Sequence, residues 1–254
     1  MAEMKWDAVL ASQAQVWADK CIFEHPNTAV SKDYDGIGQN LHAVYNTHGL
    51  ETTKPDATDA VDSWNSEVQN YTYEHNACAT KEVCGHYTQV VWAETTNVGC
   101  GINYCLSAKY NEVYLPNAWI VVCNYIPGGN QGGQWPYKYG AEGEECSQCS
   151  DGGACKNGLC SDCSPQDEPD CECKIKCQNC GSVQSGDKCE CLCPDGYFGE
   201  FCENFCKDTD VSCGGNPGWP TNWCNDSDYP WVDENCPLMC GLCTAGTKVD
   251  PANC

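Results

Sequence analysis

The chain contains no arginine: all 13 of its basic residues are lysine, against 36 Asp plus Glu, giving a net charge of −23. A surface of that kind cannot neutralise a phosphate backbone, which argues against nucleic acid as a partner. Anionic membrane surfaces are disfavoured for the same reason. Long apolar runs are missing as well. No stretch approaches the ~18 apolar residues that a membrane-spanning helix needs. The opening MAEMKWDAVLASQAQVWADKC has neither an apolar h-region nor a small-residue cleavage site, so no signal peptide is visible in it. No HExxH zinc-protease motif and no GxSxG elbow occur, and hydroxyls such as Ser63 have no identifiable His-Asp relay. Histidine is scarce, with five in all and none after His86.

What the chain does have is cysteine, and it is unevenly spread. Residues 1–140 hold 6 Cys and a net charge of −8, while residues 141–254 hold 20 Cys and −15. The asymmetry describes one ordinary domain followed by small cysteine-stapled modules, in an oxidising compartment. CxxC pairs such as Cys146 with Cys149, Cys177 with Cys180 and Cys240 with Cys243 have zinc spacing. Twenty cysteines without a histidine among them fit a disulfide ladder better.

In the first 140 residues, Trp6, Leu10, Ala14, Trp17 and Cys21 recur at three- and four-residue steps, as on one helix face. A second amphipathic helix is expected from Thr58 to Tyr71, with Val61, Trp64, Val68 and Tyr71 on its stripe. Glu67 falls inside that stripe. A carboxylate on a buried face must be paired or hydrogen-bonded, so Glu67 is a candidate site residue. Runs at His86–Trp92, Val98–Cys105 and Tyr114–Tyr125 read as strands. Helices before strands suggest a layered α+β sandwich rather than a repeating βαβ fold. The stretch PGGNQGGQWPYKYG (residues 127–140) reads as a connector that packs little and marks a boundary.

Two segments make a family resemblance specific: GHYTQVVWAET (Gly85 to Thr95) and IVVCNYIPGGN (Ile120 to Asn130). With KWDAVLASQAQVWADKC, GIGQNL and AVDSWNSEV they resemble the CAP superfamily of cysteine-rich secretory proteins, antigen 5 and pathogenesis-related protein 1. The resemblance implies a three-layer α-β-α sandwich over residues 1–140, with the family's first helix lying before Met1. Either a signal peptide also lies upstream or the protein is not secreted, and the cysteine content favours the first. It also implies a cleft of two histidines and two acids, matched here by His25, His86 and Glu67. The second acid is replaced by Gln39, which is neither a general base nor a common metal ligand. Two imidazoles and one carboxylate would hold Zn²⁺ loosely, and no cofactor is required. The alternative is that His86 and Glu67 only brace helix against sheet. His42, His48 and His75 match nothing in the family pattern and read as surface residues.

By the same analogy Cys21 pairs with Cys100, Cys105 with Cys123, and Cys78 with Cys84. Some family members bind sterols or fatty acids through aromatic loops hereabouts, and Tyr71 and Tyr73 would serve as such a lipid-binding loop; the alternative is that they only cover the sheet edge.

Residues 141–164 resemble the cysteine-rich hinge of animal family members. CLCPDGYFGEFC, within 165–203, has the spacing of the C-terminal half of an EGF-like module. Residues 204–245 resemble an ShKT module, which implies Cys206–Cys243, Cys213–Cys236 and Cys224–Cys240. Lys207 is the only cation of that segment, so block of a potassium-channel pore is disfavoured. Residues 246–254 form a tail. Cys254 is left over: it pairs with an odd hinge cysteine, joins chains into a disulfide-linked oligomer, or marks a truncated end. Asn70 and Asn225 head N-glycosylation sequons.

The sequence thus predicts a secreted, extracellular, non-catalytic recognition protein with a protein or lipid ligand and a venom or defence role. A metal-dependent hydrolase, a matrix protein and an ion-channel modulator are the alternatives.

Overall fold

Asp7 opens the first helix by accepting hydrogen bonds from the backbone of Val9 and Leu10, and the 11 residues of α1 (Ala8–Ala18) follow β1 (Lys5–Trp6) directly. In the computed structural model the described residues are 1–46, 48, 52–140, 144–150, 152–215, 217–249 and 254. They form two compact units, Met1–Tyr139 and Gly140–Cys254. The expected hinge (141–164) and tail (246–254) lie partly outside the described residues.

Along the first unit come β2 (Gly38–Val44), α2 (Ala57–Ser66), the short pair β3 (Tyr71–Thr72) and β4 (Ala77–Cys78), and α3 (Gly85–Val90). Two long strands, β5 (Asn97–Tyr110) and β6 (Val113–Ile126), complete a sheet of order β1-β5-β6-β2. β1 runs parallel to β5; the other pairs are antiparallel. Helix α1 covers one face, where Ala14, Trp17, Leu41, Ile120 and Val122 pack together. Helices α2 and α3 cover the other, with Ala60, Trp64, Val121, Cys123 and Tyr125 buried beneath them. The result is the expected α-β-α sandwich. Its tightness on the α1 side depends on Gly99 and Gly101 of β5. A Cβ at Gly99 would overlap the backbone of Ala11, and one at Gly101 that of Gln15.

Four local expectations are corrected. His86–Trp92 is not a strand: residues 85–90 form α3, because the Glu67 carboxylate satisfies its first free N–H groups. α2 ends at Ser66 and tightens into a 3-10 turn, Glu67–Asn70. Its buried positions are Ala60 and Trp64, while Val61 and Val68 are exposed. Third, Cys21 is bonded to Cys105, and Cys100 to Cys123. Sheet parity decides this. Cys100 and Cys123 sit opposite each other on the α2 face, whereas Cys105 faces α1, whose end carries Cys21. Last, residues 127–139 do pack: Pro136 is among the fully buried residues and its carbonyl accepts from Ala93 N at 2.7 Å.

In the second unit the strands are short: β7 (Ala154–Lys156), β8 (Leu159–Ser161), β9 (Cys171–Glu172), β10 (Ser182–Ser185), β11 (Cys189–Leu192), β12 (Tyr197–Phe198) and β13 (Asn204–Phe205). A single-turn helix, α4 (Pro230–Asn235), follows. All 26 cysteines are half-cystines. The structure places the pairs Cys206–Cys243, Cys213–Cys236 and Cys224–Cys240, together with Cys78–Cys84 in the first unit. The odd hinge cysteine, Cys163, bonds to Cys171. Cys254 is bonded to Cys180 rather than to a hinge cysteine, and as folded its sulfur is not available to link two chains.

Candidate functional site: two histidines with fixed tautomers

Glu67, the residue just after α2 and the first of the 3-10 turn, is the hub of the site on the α2 face. Its Oε2 accepts from the backbone N–H of His86 at 3.1 Å and of Tyr87 at 3.2 Å, and its Oε1 lies 2.7 Å from His86 Nδ1. A carboxylate only accepts, so Nδ1 carries the proton and neutral His86 presents the lone pair of Nε2. The imidazole also stacks on Trp64 (6.2 Å between centroids, 18° between planes). Trp64 is buried and donates to the carbonyl of Leu41. Beneath the site, Asn40 donates to the His86 carbonyl at 3.1 Å and contacts the Tyr125 hydroxyl, whose pKa burial pushes far up.

His25 is held by a different device. Gln13 on α1 donates to the carbonyl of Asp33 at 2.6 Å, and a backbone carbonyl fixes which end of that amide is the donor. Gln13 Oε1 therefore accepts from Asn124 Nδ2 (3.1 Å), and Asn124 Oδ1 accepts from Gln39 Nε2 (3.0 Å). Gln39 is left facing His25 Nδ1 with its carbonyl oxygen, at 3.1 Å. His25 must donate, and its Nε2 is again the acceptor. Each step is forced by the one before it, and the chain explains glutamine at position 39. A glutamate would point an acceptor at the Asn124 carbonyl oxygen.

The two pairs are not linked to each other by any hydrogen bond among the described residues. Gln39 and Leu41 of β2 turn toward α1, while Asn40 and His42 turn toward α2 and α3. His25, Glu67 and His86 do not form a group with donor atoms mutually within 4.8 Å. As folded, these donors do not converge on one Zn²⁺. Among the described residues, the two clusters that do meet that distance contain Cys146, Cys149 and Cys160, and Cys224, Asp233 and Cys240. Their cysteines are consumed in disulfides.

One histidine was misread from sequence. His42 is half-buried and meets Trp64 edge-on at 6.5 Å, so it is not a surface residue. Burial lowers its pKa, Asp59 opposes that shift, and His86 reinforces it. The available signal was period two: His42 shares a strand face with Asn40, two residues back. His48 and His75 are exposed.

Tyr71 and Tyr73 are engaged within the unit. Tyr71 OH donates to Asn76 at 2.8 Å. Tyr73 OH donates to the Tyr137 carbonyl, accepts from Tyr139 N, and its ring stacks on Tyr137 at 5.1 Å. These tyrosines fasten residues 134–139 down. Of the sequons, Asn225 is exposed and Asn70 half-buried.

Residues 1–125 match the family described as CAP: Cysteine-rich secretory protein family, and the first unit is a CAP domain. The chain is 40% identical over 160 residues to peptidase inhibitor 16 of Bos taurus, covering 63% of this chain and 31% of that protein. It is likewise 40% identical over 174 residues to cysteine-rich secretory protein LCCL domain-containing 2 of Homo sapiens, covering 63% and 32%. The chain thus spans about a third of the length of these relatives. Among solved structures, Na-ASP-1 aligns with a TM-score of 0.49 at 28% identity, over 63% of this chain and 38% of that one.

Proposed function

We propose that the protein is an extracellular recognition protein whose CAP domain binds a protein partner through surfaces built around His86 and His25, and catalyses nothing there. One observation carries the reading: both oxygens of Glu67 are occupied, by two backbone N–H groups and the His86 ring. A carboxylate spent in this way positions an imidazole and is not a free base for activating water. Placement outside the cell is supported by the 26 paired cysteines, which a reducing compartment would not maintain. The segments 165–203 and 204–245 are read as EGF-like and ShKT-like spacers, and Asn225 as a glycan site.

The name of the bovine relative makes a peptidase the first partner to try. The full chain is assayed against a panel of peptidases for inhibition, and against peptide and ester substrates with and without chelator. Inhibition that falls in His86→Ala is the expected result. Chelator-sensitive turnover that disappears in His86→Ala would overturn the non-catalytic reading and establish a metal-dependent hydrolase.

A further inference from the structure

Segment 204–245 contains three of the nine tryptophans of the chain, six acidic residues and one lysine. Most of the large rings are not used as core. The buried apolar side chain of α4 is Val232, and cystines fill the rest. Instead, Trp223 lies flat on Tyr229 (4.3 Å between centroids, 6° between planes), and Trp231 meets Tyr229 edge-on at 5.5 Å. Trp223 and Tyr229 are half-buried, and Trp231 is 43% exposed. Three contiguous rings kept at the surface of so small a segment form a platform that folding alone does not require.

The platform is pre-organised. Cys224, next to Trp223, is bonded to Cys240. Both Asp233 oxygens accept from Asn225 N, tying the loop after Trp223 to α4. Asp226 accepts from Asp228 N at 2.9 Å, and its carbonyl from Tyr229 N. These bonds occupy Asp226 and Asp233 but leave the exposed Asp228 carboxylate without a side-chain partner among the described residues, one residue from Tyr229. An aromatic face beside an unpaired carboxylate is the combination that receives a planar cation: the ring attracts its positive face and the carboxylate takes its N–H groups.

We propose that Trp223, Tyr229, Trp231 and Asp228 form a docking site for an arginine-bearing segment of another extracellular protein. Charge complementarity selects this occupant, because the segment around the rings is acidic and adds a Coulombic attraction for a cation that a neutral sugar does not receive. The site lies in the second unit and is independent of the CAP-domain reading above. It also reverses the polarity of a pore-blocking surface, for here the cation comes from the partner.

The test uses the full chain and a hexa-arginine peptide, titrated calorimetrically at physiological salt. Saturable binding is expected. Trp231→Ala and Asp228→Asn should each weaken it about tenfold, in line with one lost cation–π or charge-assisted contact. Trp231→Phe should retain most of the affinity. Asp187→Asn, an exposed acid elsewhere in the unit, should change it less than about twofold, as bulk charge alone would predict for one surface residue. Should Trp231→Ala fail to be secreted, the comparison of Asp228→Asn with Asp187→Asn decides alone. The proposal is overturned by equal losses at those two acids, by unchanged affinity in Trp231→Ala, or by saturable binding of chitohexaose in place of the peptide.

Discussion

The CAP domain buries Trp64, Ile120 and Val122 between helices and sheet, whereas the main buried cluster of the second unit is Cys146, Cys149, Cys155, Cys163, Cys171 and Cys189 around Ala154 and Ile175. Three disulfides serve the first unit, and the other ten join residues of the second. The longest helix of the second unit is the six-residue α4, and its longest strands have four residues. Elements that short cannot bury enough apolar area to offset the entropy of ordering them, so covalent links replace the missing core. In the CAP domain the order of dependence is reversed. Cys100–Cys123 joins strands already paired at that position, and Cys78–Cys84 joins residues only six apart in sequence.

The comparison breaks most directly under reductant. Each lost cystine costs on the order of 2–5 kcal/mol, and among the described residues of the second unit little buried apolar surface stands apart from the cystines. Dithiothreitol should therefore unfold residues 140–254 at concentrations that leave residues 1–139 folded. Limited proteolysis with mass mapping would show cuts confined to the second unit. Simultaneous cleavage across α1 or β5 would mean that the CAP domain, too, is held by its disulfides.

How much of this could be read in advance also differs between the units. In the CAP domain the periodicity of Leu10, Ala14 and Trp17 is the buried side of α1, although Trp6 from the same stripe lies in β1 and is 64% exposed. The apolar strands β5 and β6 lie where their composition places them. Alternation over a few residues failed at His86–Trp92, because a short apolar run does not distinguish strand from helix. What decided it was Glu67, 19 residues away, capping the helix. The cysteine pairing failed for a similar reason. Cys100 and Cys105 are five residues apart on one strand and so face opposite sides, a fact legible only once the strand is known to continue through both. In the second unit there was little periodicity to read, and cysteine spacing was the only guide. Of the site, Glu67 and His86 were identifiable from sequence. The amide chain that fixes His25 was not, since Gln13, Asn124 and Asp33 lie far apart in sequence and meet only through the fold.

That chain gives a second, smaller way to sharpen the contrast. Gln39→Glu places a carboxylate against Asn124 Oδ1, and the Asp33 carbonyl at the far end cannot reverse its role to let the chain flip. Asn124 is fully buried, so the conflict cannot be relieved by water. A loss of about 1–3 kcal/mol is expected, the usual cost of a buried polar group without its partner. Urea denaturation followed by tryptophan fluorescence would measure it, and the cost should appear in the CAP domain alone. A variant as stable as the parent would show that the amides reorient and that His25 has no fixed tautomer.

The smallest expected effect comes from pH, and the units should again diverge. All five histidines lie in residues 1–139. Burial, the largest influence on His42, holds its pKa below the ordinary 6.5, with His86 on α3 acting in the same direction and Asp59 on α2 against it. Over that window the unfolded chain binds the proton more readily than the folded one, so the unfolded state gains as pH falls. The stability contributed by neutral His42 is complete above about pH 6.5 and declines below it, until the folded-state pKa is passed. Denaturation midpoints of the CAP domain should therefore drop between about pH 7.5 and 5, and His42→Gln should flatten that slope. The second unit has no histidine and should hold a constant midpoint over the same window. An unchanged slope in His42→Gln would show that burial of His42 does not set the pH response of the CAP domain.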